Sequence, residues 1–411
     1  MIFDKFLSLL PSELDGALIM SEENRRYFTS FPSSDGVLLI SRNGTVFLTD
    51  SRYVEAAQKK ITVCPVRLTK DLSTELPQLM SEFKINNLAV ETTRLTVAQF
   101  EEFTKWMPDT GICTENYADR AIDALRMVKS DDEVKLVCEA QAIAECAFDH
   151  ILEFIKPGVT EREIQLELDY YMLRNGAEAL SFETIAVSGV NSSMPHGVPS
   201  DKKIENGDFI TMDYGAVVGG YHSDMTRTVA VGSVSEEQKK IYNTVLEAQL
   251  AAMEKMAPGV SCADADKAAR DVITDAGYGE FFGHGTGHGV GSYLNVHEGP
   301  HQIRMNWMPA PITAGMTVTN EPGLYLAGRF GVRIENILLA VPHLETEFGT
   351  FLRFETLTLC PIDTAPIERQ LLEPAEIEWL NTYHQRVRNE LLPLLDDEAD
   401  RRWLIDATQP L

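Results

Sequence analysis

Gly283-His284-Gly285-Thr286-Gly287-His288-Gly289-Val290-Gly291 is the stretch on which the reading of the whole chain turns. Glycine fills every second position, and each of these five glycines would cost a helix about 1 kcal/mol relative to alanine, so the run reads as extended. Side chains alternate between the two faces of an extended strand. His284, Thr286, His288 and Val290 therefore share one face, and the other is bare backbone open to close approach by another strand or a ligand. At ~3.3 Å per residue the two histidines stand roughly 13 Å apart, too far to bind the same metal ion. One can be a ligand while the other meets substrate. The run lacks G-x-G-x-x-G and a following Gly-Lys-Ser/Thr, which excludes a phosphate loop.

The surrounding chain has 411 residues, 44% hydrophobic and 24% charged, the composition of a soluble globular protein with room for two or three domains. Its 36 basic and 62 acidic residues give a net charge of −26, which argues against nucleic acid or an anionic membrane as partner. The six cysteines are widely spaced with no C-x-x-C, so neither a zinc knuckle nor a disulfide framework is indicated and a reducing compartment fits. Met1–Leu10 lacks a signal-peptide n-region and cleavage site, and no run of about 18 apolar residues occurs. A cytoplasmic protein with no membrane span is expected.

Residues 1–122 alternate short β-branched runs with helix-like segments and read as a self-contained mixed α/β domain without a cluster of His, Cys or carboxylates. A capping box at Ser130–Glu133 opens a second domain, taken as 123–411. Within it a helix, Pro157-Gly158-Val159-Thr160 and a second helix closing at Asn175-Gly176 are followed by strands. The same order returns with a helix from Ser235 to Ala257, Pro258-Gly259-Val260-Ser261 and a helix closing at Gly277. Both the Pro-Gly-Val and the closing glycine recur after 101 residues, which points to a duplicated unit with two facing halves. The fold class expected is α+β.

Each half then supplies a pair of carboxylates. Phe209–Tyr214 and Tyr221–Arg227 flank Val218-Gly219, a hairpin signal; a turn there places Asp213 opposite Asp224. Thr317–Glu321 and Gly331–Glu335 flank Gly328, and a three-residue loop centred on it places Glu321 opposite Glu335, although Pro322-Gly323 interrupts the first strand. Directly opposed residues have Cβ atoms about 4.5–5.5 Å apart, where like charges destabilise. These four lie in apolar strands, and buried charges must be paired or bind metal. Four carboxylates with one imidazole form an oxygen-rich set suited to manganese, with zinc, cobalt or iron as alternatives. Two dications would balance four carboxylates and could polarise a carbonyl and activate water for hydrolysis.

Asp213-Tyr214-Gly215, His222–Thr228, the Gly-His run, Asn320-Glu321-Pro322-Gly323 and Arg333-Ile334-Glu335-Asn336 resemble the motifs of the pita-bread metallopeptidases of the aminopeptidase P and prolidase branch. Glu22–Phe28 and Leu48–Tyr53 resemble that branch's non-catalytic N-terminal domain. The resemblance implies two divalent metal ions, with Asp213 on one, His288 and Glu321 on the other, and Asp224 and Glu335 shared. It makes Glu321 the proton shuttle between the attacking water and the leaving proline nitrogen. It also sets His196 beside the substrate N-terminal residue, His297 on the peptide carbonyl and His284 on the proline side. Arg333 falls on the face of Glu335, where it could pair with a metal-site carboxylate. His150, His343 and His384 lie outside every motif, His222 should point away from Asp224, and His301 is unassigned.

Residues 356–411, with Phe354–Pro361, Trp379–His384 and Trp403–Ile405, resemble the extension closing the longer aminopeptidase P proteins, which carry two domains before the catalytic one where this chain has one. The resemblance implies an Xaa-Pro aminopeptidase acting on proline-containing peptides and forming a homodimer. An Xaa-Pro dipeptidase is the nearest alternative and a metal-free binding module on the same scaffold a more distant one.

Overall fold

A computed structural model describes residues 2–255, 261–293, 295–305, 312–347 and 349–411. The chain forms two units, Met1–Arg126 with Ser292–Leu294, and Met127–Gly291 with Asn295–Leu411. In the first, a six-stranded sheet runs in the order Val66–Leu68, Gly44–Thr49, Val37–Ser41, Gly16–Ile19, Asn87–Val90, Gly111–Cys113. Gly16–Ile19 pairs antiparallel with Val37–Ser41 and parallel with Asn87–Val90, so the sheet is mixed.

Period-two alternation sorts the strand residues into two cores. Ala17, Ile19, Leu38, Ile40 and Ala89 pack with Phe3, Phe6 and Phe28 on one face. Leu18, Leu39, Val46, Leu48 and Leu88 pack with Leu76, Leu79 and Phe103 on the other. The polar residues of the Glu22–Thr29 helix serve the same scaffold. Buried Arg25 donates to the carbonyls of Met20, Gly36 and Ser33, while Glu91 accepts from Ser21 N at 2.9 Å and Asn24 Nδ2 at 2.7 Å.

The second unit shows the expected repetition. Helices Asp131–Phe154 and Glu161–Arg174 precede a sheet of Met225–Ala230, Phe209–Tyr214 and Ile185–Ser188. Helices Glu236–Lys255 and Cys262–Asp275 precede a sheet ordered His297–Ile303, Gly287–Val290, Thr317–Asn320, Asn336–Thr346, Gly349–Thr356. Reciprocal capping boxes start the helices at Ser130–Glu133, Thr160–Glu163 and Ser261–Asp264. The second helix of each half ends at a glycine of positive φ, Gly176 at 109° and Gly277 at 88°, a conformation that glycine adopts at little cost. Pro258-Gly259-Val260 lies outside the described residues.

The halves are stitched together by polar groups. Glu335 N donates to Thr226 O at 3.1 Å, and Thr228 Oγ1 donates to Arg333 O at 2.9 Å. Arg227, fully buried, extends the stitching to the C-terminal segment. Its Nη1 donates to Thr226 O at 2.9 Å and Glu335 O at 2.6 Å. Its Nε reaches Pro361 O at 3.0 Å, and Nη2 reaches Asn336 Oδ1 and Cys360 O, both at 2.8 Å. Two further bonds fix that segment: Leu359 N to Glu145 Oε1 at 2.5 Å and Ile362 N to His384 Nε2 at 3.1 Å. Desolvation lowers the His384 pKa to about 4, leaving the neutral ring that this last bond requires.

Removing Arg227 strands several buried carbonyls at once, each worth about 1–3 kcal/mol when unsatisfied. Arg227→Ala should therefore lower unfolding free energy by about 3–5 kcal/mol in equilibrium denaturation. A loss below about 1 kcal/mol, the size of a single ordinary hydrogen bond, would show that the C-terminal segment is held by other means.

Candidate metal centre

The first carboxylate pair is set by a hairpin whose turn is Gly219-Gly220, with φ of 58° and 84°. Val218 pairs with Tyr221 and Val217 with His222, one residue later than a Val218-Gly219 turn would give. A two-residue turn of this kind needs positive φ at both central positions, and two adjacent glycines supply it where valine would be strained. The register moves accordingly. Asp213 lies opposite Thr226, not Asp224. The slip preserves the face, because it displaces Asp224 from Thr226 by two residues along the same strand direction. Gly215 makes room for the displaced segment, since a Cβ there would sit 2.0 Å from Ser223 O.

The second pair follows its expected register. Leu326 pairs with Phe330 and Gly323 with Arg333 around Gly328, whose φ is 71°. Beyond Pro322 the ladder resumes in the same register with Asn320 opposite Asn336, so Glu321 and Glu335 face each other across the gap that proline's missing N–H leaves.

Of the Gly-His run only Gly287–Val290 is strand, and His284 precedes it in irregular backbone. The bare face does what bareness allows. A Cβ on Gly287 would lie 2.0 Å from Thr319 O, and one on Gly289 2.2 Å from Glu298 O.

These elements converge on one cavity of about 680 Å³. His196, His284, His288 and His297 line it, together with Asp213, Asp224, Glu321, Glu335 and Arg333, so every residue singled out from the sequence for the site reaches it. Asp224, His288 and Glu335 are buried and offer ligand atoms that all lie within 4.8 Å of one another. His288 Nε2 is 3.4 Å from Asp224 Oδ2 and 3.8 Å from Glu321 Oε1. Its Nδ1 donates to Gly289 O at 3.0 Å, which fixes the tautomer and turns the Nε2 lone pair toward the carboxylates.

Arg333 organises the other side. It donates to Asp213 Oδ2 at 2.5 Å, to Tyr325 OH at 2.6 Å and to Thr226 Oγ1 at 3.0 Å. Thr226 Oγ1 in turn donates to Glu335 Oε2 at 2.7 Å, and Tyr325 OH to His284 Nε2 at 2.9 Å. Sequence reasoning named Arg333 but missed Thr226 and Tyr325. The second hairpin's register held a signal, because Tyr325 stands two residues from Gly323 on the same face, and Gly323 opposes Arg333.

The electrostatics are those of crowded, buried carboxyls. Burial, then the neighbouring Asp213 and Glu321, drives the Asp224 pKa well above the carboxylate range. Burial, then Asp224 and Asp213, does the same to Glu335, and burial beside Glu335 pushes Glu321 up to about 8. Asp213 Oδ1 is buried without a hydrogen-bond partner among the described residues. An orphaned carboxylate oxygen, a lone pair on His288 and three crowded carboxyls of raised proton affinity fit divalent metal ions.

The remaining histidines stay apart. His301 is buried away from the cavity lining, its Nε2 donating to Thr317 O at 3.1 Å. His222 Nδ1 lies 2.9 Å from Ser181 Oγ, His150 bonds Glu167 at 2.6 Å, and His343 is exposed.

Comparison with known proteins agrees with the geometry. The sequence model of metallopeptidase family M24 matches residues 135–342, that of the creatinase/prolidase N-terminal domain residues 9–128, and that of the C-terminal region of peptidase M24 residues 350–411. An uncharacterized peptidase of Bacillus subtilis is 41% identical over 79% of this chain and 90% of its own. An Xaa-Pro dipeptidase of Pyrococcus horikoshii is 38% identical over 80% and 90%. Among solved structures, an Xaa-Pro dipeptidase from Bacillus anthracis superposes with a TM-score of 0.80 at 39% identity, covering 88% of this chain and 98% of that one. An X-Pro aminopeptidase from Thermotoga maritima gives 0.76 at 37%, covering 86% and 97%. The duplicated α+β unit with its buried carboxylates and single facing imidazole is thus a pita-bread catalytic domain, and the chain belongs to metallopeptidase family M24.

Proposed function

We propose that the protein is an Xaa-Pro aminopeptidase, releasing the residue ahead of a proline in second position from peptides that continue beyond it. The observation that carries the choice is the C-terminal region at 350–411, which resembles the aminopeptidase P extension and is latched to the Glu335 carbonyl through Arg227. The Pyrococcus horikoshii dipeptidase is 38% identical over 80% of this chain. The second reading, an Xaa-Pro dipeptidase, is favoured by the identity of that relative itself.

Asp213, Asp224, His288, Glu321 and Glu335 would hold two dications, manganese by donor type. Bound there, they would supply polarisation of the scissile carbonyl and a water ionised near neutral pH. Glu321 is the proton carrier, a carboxyl on the cavity wall with Oε1 3.8 Å from His288 Nε2. It takes the proton of the attacking water and delivers it to the proline nitrogen as the C–N bond breaks. His297, its ring centroid 4.0 Å from that of His288, donates an N–H to the carbonyl oxygen as negative charge develops on it. Desolvation, then His288, lowers its pKa to about 4, so it donates as a neutral imidazole. His196, exposed on the cavity wall, stands beside the substrate N-terminal residue.

His284 acts differently. Its Nδ1 donates to Gly285 O at 2.8 Å and its Nε2 accepts from Tyr325, so both nitrogens are engaged. What it offers the proline ring is an apolar surface, backed by Phe282 in an edge contact at 5.1 Å.

With manganese present, an Xaa-Pro-Xaa tripeptide should be cleaved after its first residue, and cleavage of the Xaa-Pro dipeptide alone would move the protein to the second reading. Asp224→Ala should abolish turnover and loosen metal binding, whereas His284→Ala should weaken turnover with metal content kept; equal metal loss in both would reverse the assignment of the histidines. The site also sets a pH dependence for the metal-free protein. Folded Glu321 keeps its proton up to about 8 while the unfolded chain releases it near 4.5, so the native state binds more protons between those values and stability falls as pH rises through them. Added manganese should flatten that decline in thermal denaturation, and a decline of the same size with metal would mean the ions bind elsewhere.

A further inference from the structure

Among the described residues, His196 is the cavity histidine whose ring nothing holds. His284 is bonded at both ring nitrogens, His288 at Nδ1, and the His297 ring lies against that of His288. His196 is exposed and forms no hydrogen bond, ion pair or ring contact among the described residues. Its place is therefore set by its backbone. Gly197 N donates to Met194 O at 3.0 Å, closing a turn with Pro195 and His196 at its centre. The turn belongs to residues 188–200, which leave the Ile185–Ser188 strand and pass through the short helix Gly189–Ser193. The middle of this segment lies on the hairpin of the second half. Gly331 N donates to Ser192 Oγ at 2.9 Å, and a Cβ on Gly331 would stand 2.1 Å from Ser192 O.

Both ends of the segment meet at one carboxylate. Glu161, the first residue of the Glu161–Arg174 helix, is fully buried. Its Oε1 accepts from Ser188 N at 2.7 Å and Ser188 Oγ at 3.0 Å. Its Oε2 accepts from Ser200 N at 3.1 Å and Ser200 Oγ at 2.7 Å. Asn191 Nδ2 spans the two, at 3.1 Å from Oε1 and 3.0 Å from Oε2. No cation pairs with Glu161 among the described residues, so its charge is met by N–H and O–H donors and by the helix N-terminus. The helix does not need it as a cap, because Thr160 and Glu163 already form a reciprocal capping box there.

We propose that Glu161 is a positioning residue for peptide cleavage, closing the neck of residues 188–200 and so holding His196 against the substrate's N-terminal residue. The proposal rests on the peptidase reading, in which His196 has that place. A carboxylate suits the task because each end of the segment needs an acceptor. An amide would keep an acceptor at one end and turn a donor against donors at the other. Opening either end frees the turn that carries His196, and a displacement of about 1 Å near reacting groups costs up to about a hundredfold in rate.

The test combines E161Q with H196A, in steady-state kinetics of the manganese-loaded full chain on Ala-Pro-Ala and Ala-Pro and in histidine-ring NMR of the same variants without metal. E161Q keeps the shape of Glu161 and alters one acceptor. It should lower kcat/KM about tenfold in the wild-type background and less than about twofold in H196A, because a displaced imidazole and a missing one cost nearly the same. Equal losses in the two backgrounds overturn the proposal. The His196 ring signal, identified by its absence from H196A, should shift or broaden in E161Q while that of His384 stays; an unmoved His196 signal also overturns it. N191A removes the contacts that span the two oxygens, so it should show the same pattern at smaller size, and it carries the test if E161Q does not fold. If H196A leaves no turnover, the ring signal alone decides. If wild type cleaves neither peptide, the peptidase reading fails, and the ring signal still decides whether Glu161 holds His196.

Discussion

Mutual repulsion among buried carboxylates is the constraint around which the catalytic unit is built. Asp213, Asp224 and Glu335 are buried, and all of them line one cavity with Glu321. An arrangement of this kind destabilises a fold unless positive charge compensates it. Arg333 supplies part of that charge directly to Asp213. The raised proton affinities of Asp224, Glu321 and Glu335 mark the repulsion that this one arginine leaves uncompensated.

Holding such groups together requires a stiff frame, and the frame is built from both halves of the duplicated unit. Thr226 and Arg333 link the two carboxylate-bearing strand pairs in one network, from Asp213 through Arg333 and Thr226 to Glu335. Arg227 sits next to Thr226 in sequence and points its five donors into backbone carbonyls, Asn336 and Tyr383, so the neighbouring position serves structure while Thr226 serves the site. The C-terminal region is thereby part of the support of the candidate site. Its loss would be felt at Glu335.

Much of this was legible in the sequence because the decisive patterns are local. Glycine at alternate positions announced a strand that other backbones approach closely, and Gly287 and Gly289 lie against Thr319 and Glu298 as that requires. The loop around Gly328 gave the second register because a single glycine marked its centre. The first register was read one residue early, since Val218-Gly219 and Gly219-Gly220 both look like turns and only the demand for two positive φ values separates them. Strand length also escaped: His284 lies before the strand, where Arg270 and Tyr325 hold its backbone and ring. Thr226 and Tyr325 carried no motif of their own. Their roles exist only once Arg333 is placed between them, a long-range fact that residue type does not encode. In the first unit the opposite held, because alternation alone assigns each strand residue to one of two cores.

The central claim is that five side chains from two mirrored strand pairs form one paired-cation centre. It is tested most directly by anomalous diffraction at the manganese edge from crystals grown with that metal. The account predicts two peaks per chain, both in contact with Asp224 and Glu335, one also touching Asp213 and the other His288 and Glu321. A single peak, or peaks at separate places with Asp213 and His288 on unrelated ions, would contradict it.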